Sequence, residues 1–111
     1  MTVRDRRSGE ERRAAARYRV QMDVEWVTTG PRAKGTLSDV SLDGCFVLCS
    51  GEVEDGEAAR IFVPIAGGMK AEFRGRVTNH VVEIGFGLKF ESLSPAQRDV
   101  LAGLVKSQDE N

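Results

Sequence analysis

Two short sets of residues carry the chemistry this chain offers. The first is Arg12, Arg13 and Arg17, an RxxxR spacing with a further arginine directly before it. The second is Asp39, Ser41 and Gly44, spaced DxSxxG. A guanidinium is a planar fork of donors that bonds phosphate, or O6 and N7 of guanine, in bidentate fashion. A carboxylate accepts from the opposite edge of guanine, where N1 and N2 carry hydrogens. A serine hydroxyl donates to phosphate, and backbone amides beside a glycine can approach an anion closely. Together these groups suit a guanine nucleotide with exposed phosphates. Taken alone, Ser38 to Gly44 reads as a tight connection that does not propagate a sheet, because Asp and Ser bond nearby backbone and Gly adopts angles other residues avoid.

Enzymatic constellations fail one by one. His80 is the one histidine and has no neighbouring nucleophile, while Ser38 and Ser41 have no evident base. Asp39 and Asp43 are loop carboxylates without a pocket motif, weak grounds for acid–base work. The glycines form neither GxGxxG nor a Walker loop. Cys45 and Cys49 lie four apart on one face of a strand-like run, too far apart to bridge easily, and a metal would need further Cys or His ligands. The expectation is a binding protein and not an enzyme, with no metal, no cofactor and two buried reduced cysteines.

Composition bounds the partners. The chain has 111 residues, 41% of them hydrophobic and 30% charged, which describes one ordinary globular domain. No apolar run approaches the roughly 20 residues that cross a bilayer. The N-terminus lacks the apolar core of a secretory signal, so the expected location is cytoplasmic, away from membrane. A net charge of −1 hides an asymmetry: residues 1–20 hold seven arginines against three carboxylates, a local +4, leaving −5 for the remainder. The basic excess is all Arg, the better residue for gripping phosphate, and it points to an anionic partner for the N-terminal segment.

These groups need elements to hold them. Residues 1–10 have almost no apolar side chains and are expected to form a flexible Arg-rich arm, with 11–106 the folded domain and 107–111 a disordered tail. From Tyr18 the pattern has period two, with Tyr18, Val20, Met22, Val24 and Trp26 on one face, ended by Gly30-Pro31. Further strands are expected at Arg32 to Leu37, Cys45 to Cys49, Ala58 to Ile65 and Met69 to Thr78. A last strand carries Ile84, Phe86, Leu88 and Phe90 on its apolar face. Ser50 to Glu57 read as a solvent loop, and Gly67-Gly68 as a turn. Ser94, Pro95 and Gln97 open a helix with a capping box, and Val100, Leu101, Leu104 and Val105 form its apolar stripe. The fold class is therefore all-β: a six-stranded antiparallel barrel, with a C-terminal helix covering an open end or edge. Trp26, Phe73, Phe86 and Phe90 fall on inward phases and are expected to fill the core. If the first two strands pair as a hairpin, the arginines and the Asp-Ser turn meet at one end of the barrel.

At this point the chain resembles a known family. Arg12-Arg13-Ala-Ala-Ala-Arg17 followed by Asp39-Val-Ser41-Leu-Asp-Gly44 is similar to the two-part signature of PilZ domains, bacterial receptors for cyclic di-GMP. Gly75-Arg76-Val77, Gly85-Phe-Gly87-Leu-Lys-Phe90 and Leu93-Ser-Pro-Ala-Gln resemble the later strands and terminal helix of that family. The resemblance covers roughly residues 11–106. It implies that Arg13 and Arg17 grip phosphate and guanine, that Asp39 and Ser41 take the other guanine edge and a phosphate, and that Gly44 holds the turn. An arginine before the RxxxR accompanies two intercalated ligand molecules in some relatives, and Arg12 stands there. Relatives draw further contacts from the fifth strand, where Arg74, Arg76 and His80 are the candidates. Asp43 departs from the glycine many relatives carry and adds a negative charge near an anionic ligand. The implied protein is a receptor without its own output domain, whose arm orders on binding and alters the surface offered to a downstream protein. Two other readings remain open: a small-barrel nucleic-acid binder, which the inward aromatics disfavour, and a ligand-free adaptor, whose relatives typically lack these Arg and Asp-Ser positions.

Overall fold

The computed structural model describes residues 17–109. Six strands form a closed antiparallel barrel: β1 (Tyr18–Val27), β2 (Ala33–Val40), β3 (Gly44–Leu48), β4 (Ala58–Pro64), β5 (Lys70–Val81) and β6 (Gly85–Phe90). Their order around the ring is β1-β2-β3-β6-β5-β4, and a short pairing of Glu25 to Val27 with Arg60 to Phe62 closes it. One helix, α1 (Pro95–Asp109), follows β6 and reaches beyond the expected domain limit at residue 106.

Closure follows from the period-two pattern. Each strand turns one apolar face inward, and a closed ring leaves none of those faces in water. Leu37, Val47, Ile61, Val63, Phe73, Val77, Phe86 and Leu88 are essentially inaccessible. The four expected core aromatics are all buried. Trp26 meets Phe86 edge-on at 5.1 Å between centroids, and Phe73 lies 5.5 Å from Phe90. The Trp26 indole N–H donates to the Lys34 carbonyl at 3.3 Å, so its one polar group is satisfied.

The helix starts as its cap residues require. The Ser94 amide donates to Gln97 Oε1 at 2.7 Å, and the Gln97 amide donates to Ser94 Oγ at 3.1 Å. The Gln97 side-chain amide also donates to the Glu72 carbonyl, which ties the first turn to β5. Leu101 is buried in the core cluster, and Leu93, Val100, Leu104 and Val105 pack against that cluster, partly buried.

The structure differs from the sequence expectation in several places. β2 runs on through Ser38, Asp39 and Val40, so the connection is only Ser41 to Asp43. Leu37 and Val40 are both buried although three apart, which strict alternation forbids; register shifts against both neighbours reconcile them. Similarly, β5 continues past Thr78 to Val81 through a register shift between Val77 and Asn79. Ile84 is 53% exposed, because it sits in the β5–β6 turn where Glu83 has φ of 64° and the Ile84 amide bonds the Val81 carbonyl. In the connection expected to be solvent loop, Val53 is buried in the core.

Candidate functional site

Arg17 is the residue immediately before β1, and Asp39 is the penultimate residue of β2. The hairpin register sets Tyr18 opposite Val40 and Arg19 opposite Asp39. The Arg17 guanidinium consequently reaches the Asp39 carboxylate, with Nη1 to Oδ1 at 2.8 Å. Both side chains keep water contact, at 55% and 31% exposure. Arg17 from the first half of the sequence signature and Asp39 from the second thus meet in space. Arg12 and Arg13 lie outside the described residues.

Asp39 points outward because Val40 and Cys45, one place further on, take the inward phase. Directly paired residues share a face of the sheet. Asp39 is therefore flanked by Arg19 on β1 and by the half-buried Phe46 on β3. Neither flanking residue belongs to the signature, and only the strand register could have revealed them. Behind them, burial pushes the Cys45 thiol far up from its ordinary value; the Asp39 charge adds to this and Arg17 opposes it. Cys49, half-buried, is also shifted up by desolvation, partly offset by the Gly51 backbone. Both cysteines are free thiols.

Ser41 opens the turn and is 0% exposed. Its amide donates to the Gly44 carbonyl at 2.8 Å. Its hydroxyl oxygen accepts from the amides of Asp43 at 3.2 Å and Gly44 at 3.1 Å, and donates to Asp43 Oδ1 at 2.7 Å. The Asp43 carbonyl accepts from the Phe90 amide at 2.9 Å, pinning the turn to the end of β6. Gly44 is required for a reason different from the one its turn position suggests. It has no left-handed backbone; a Cβ there would come within 2.5 Å of the Leu88 carbonyl oxygen. The glycine lets β3 press against β6.

The remaining expected residues are not gathered here. β5 lies three places from β2 around the ring, on the opposite wall. Arg74 pairs with Glu72 at 3.3 Å, and Arg76 bonds Glu91 at 3.3 Å and the Gly56 carbonyl at 3.2 Å. His80 pairs with Phe86 near the start of β6, whereas the turn meets the end of β6 through Gly44 and Lys89. Its Nε2 is enclosed without a hydrogen-bond partner. Among the described residues there is no cluster of three or more His, Cys, Asp or Glu able to hold a metal, and no helix long and apolar enough to cross a membrane.

Several open concavities border the outer walls. One, of about 450 Å³, runs between the turn and α1, with Leu42, Asp43, Phe90, Arg98 and Leu101 in its lining. Another, of about 550 Å³, lies over β1, β2 and β4, away from Asp39. Within it, Lys70 bonds Glu25 at 3.1 Å; with Arg32, which bonds the same carboxyl at 3.2 Å, it holds that carboxyl below its usual range. Arg32 also stacks 3.8 Å over the Phe62 ring, which explains why this outward phenylalanine is buried.

A closed six-stranded barrel, capped by a C-terminal helix and carrying an Arg–Asp pair beside a serine turn, defines a class of small β-barrel domain. The chain matches the PilZ domain family over residues 11–107, and it belongs to that family. Among curated proteins no sequence match was found. Solved structures share the fold. The Bacillus subtilis inhibitor of motility MotI/DgrA aligns over 87% of this chain and 51% of its own, at 13% identity and a TM-score of 0.69. The Borreliella burgdorferi PlzA protein in complex with c-di-GMP aligns over 85% and 41%, at 13% identity and 0.69. The PilZ domain of Escherichia coli YcgR with c-di-GMP aligns over 89% and 92%, at 17% identity and 0.69. This chain spans about half or less of the length of the first two.

Proposed function

We propose that this protein is a non-catalytic receptor for cyclic di-GMP. The observation that carries the reading is the Arg17–Asp39 pair at 2.8 Å beside the Ser41–Gly44 turn, in a chain of the PilZ family. A guanidinium and a carboxylate side by side offer donors to one edge of guanine and an acceptor to the other, and Arg also suits phosphate. The relatives PlzA and YcgR have been solved with c-di-GMP, which supports the choice of ligand. Arg12 and Arg13 would complete the phosphate grip, and Arg12 favours a pair of intercalated ligand molecules per chain. Arg19 adds a further cation beside Asp39, and Phe46 an apolar surface against which a base can rest. With the N-terminal arginines drawn onto the ligand, the surface beside β1 changes, and a downstream protein would read that change.

Isothermal calorimetry with cyclic di-GMP tests the proposal. Binding with about two ligands per chain is expected. Absence of heat at high protein concentration, together with unshifted amide NMR signals, would overturn it. A shift of single-stranded nucleic acid in a gel would favour the nucleic-acid reading instead.

A further inference from the structure

We infer that Asp43 is an internal competitor of the ligand: its carboxylate holds the Ser41 hydroxyl proton in the free protein and must swing away before Ser41 can donate to a phosphate. The inference rests on the receptor reading above. A hydroxyl has one proton and two lone pairs. Both acceptor directions of Ser41 Oγ are taken by the Asp43 and Gly44 amides, at 3.2 and 3.1 Å. Its proton has two acceptors in reach, Asp43 Oδ1 at 2.7 Å and the Gly44 carbonyl at 3.2 Å. The shorter bond, to an ionised oxygen, is the stronger one. Ser41 is 0% exposed, and of the two residues bonded to Oγ only Asp43 is exposed, so its carboxylate is the contact that an oxygen from outside would replace.

A phosphate oxygen and a carboxylate oxygen ask the same thing of Ser41, and one proton serves one of them. The exchange needs no rebuilding of the turn. The bonds from the Asp43 and Gly44 amides to Ser41 Oγ, and from the Phe90 amide to the Asp43 carbonyl, do not involve the Asp43 side chain and survive its rotation. Asp43 is itself an exposed residue, so its carboxylate is rehydrated on release. Asp43 is therefore a positioning residue for the ligand site that acts through Ser41 and sets affinity from within the turn.

The test is calorimetry with cyclic di-GMP on the full chain and on Asp43→Ala, Asp43→Asn, Ser41→Ala and the double variant, each checked for folding by thermal unfolding. Asp43→Ala is expected to bind about tenfold tighter than wild type, the size of one charge-assisted hydrogen bond. Asp43→Asn, which keeps an acceptor but loses the charge, falls between. The double variant binds no tighter than Ser41→Ala, because the competition needs the hydroxyl. Binding by Asp43→Ala that equals or falls below wild type overturns the inference and leaves the receptor reading standing. A gain that persists undiminished without Ser41 means general charge repulsion and overturns it as well. No heat from any of the proteins overturns both readings. Should Ser41→Ala unfold, Asp43→Asn decides: binding between wild type and Asp43→Ala upholds the inference, and binding as tight as Asp43→Ala means charge repulsion and overturns it.

Discussion

Arg17 and Asp39 face each other at 2.8 Å with much of both side chains in water, and exposed pairs of this kind contribute little to folding, ~0–1 kcal/mol. In the receptor reading proposed above, their value lies in what they offer a ligand. Arg17→Ala and Asp39→Ala should each weaken cyclic di-GMP binding by about 1–3 kcal/mol, the scale of a lost bidentate base contact, measured by calorimetry. Denaturant unfolding of the same variants should move by less than about 1 kcal/mol. Gly44 should behave in the opposite way. A methyl at Gly44 would lie 2.5 Å from the Leu88 carbonyl, a backbone atom that cannot step aside cheaply. Gly44→Ala should therefore cost ~1–3 kcal/mol in denaturant unfolding, as overpacked positions do. The spacing DxSxxG was legible from residue types. The physical need for its glycine was not, because it lies in a strand distant in sequence.

At the scale of elements, alternation in the sequence located all six strands, and the capping box located the start of the helix. It misjudged where Asp39 sits. Ser38 and Asp39 are turn-forming types, yet both belong to β2, because Val40 is worth burying and a register shift brings it inward with Leu37. Asp39 consequently stands on a strand between Arg19 and Phe46, held more firmly than a loop residue would be. Bulges of this kind depend on the partner strand and leave no local mark in composition. The helix contributes through one side chain above the rest. Leu101 is buried to 1% exposure in the core cluster, and Leu101→Ala should lower stability by about 2–5 kcal/mol, read as a fall in the thermal unfolding midpoint.

Across the whole molecule, closure of the ring decides which residues can act together. Arg74 and Arg76, on β5, look in sequence like additional cations for an anionic ligand. The ring order sets β5 on the wall opposite β2, and their guanidiniums bond Glu72 and Glu91. The charge asymmetry between residues 1–20 and the remainder survives as a property of the whole chain. Attraction between arginine and phosphate is screened once the Debye length contracts from ~10 Å at about 0.1 M salt to ~3 Å at about 1 M. Affinity for cyclic di-GMP should fall steadily over that range in calorimetry, and fall less steeply for Arg17→Ala, which has one cation fewer to screen.

Sequence by itself determined the family, the barrel and the inward aromatics, and it carried the RxxxR and DxSxxG spacings, because each is written in residue type and short-range period. It determined that Arg17 and Asp39 share one end of the fold, since a hairpin leaves the start of one strand beside the end of the next. Only the tertiary structure decided what surrounds them. It brought Arg19 and Phe46 to either side of Asp39, turned His80, Arg74 and Arg76 away, and buried Ser41 against the carboxylate of Asp43. Those outcomes depend on register, ring closure and side-chain geometry, which arise only when distant strands meet.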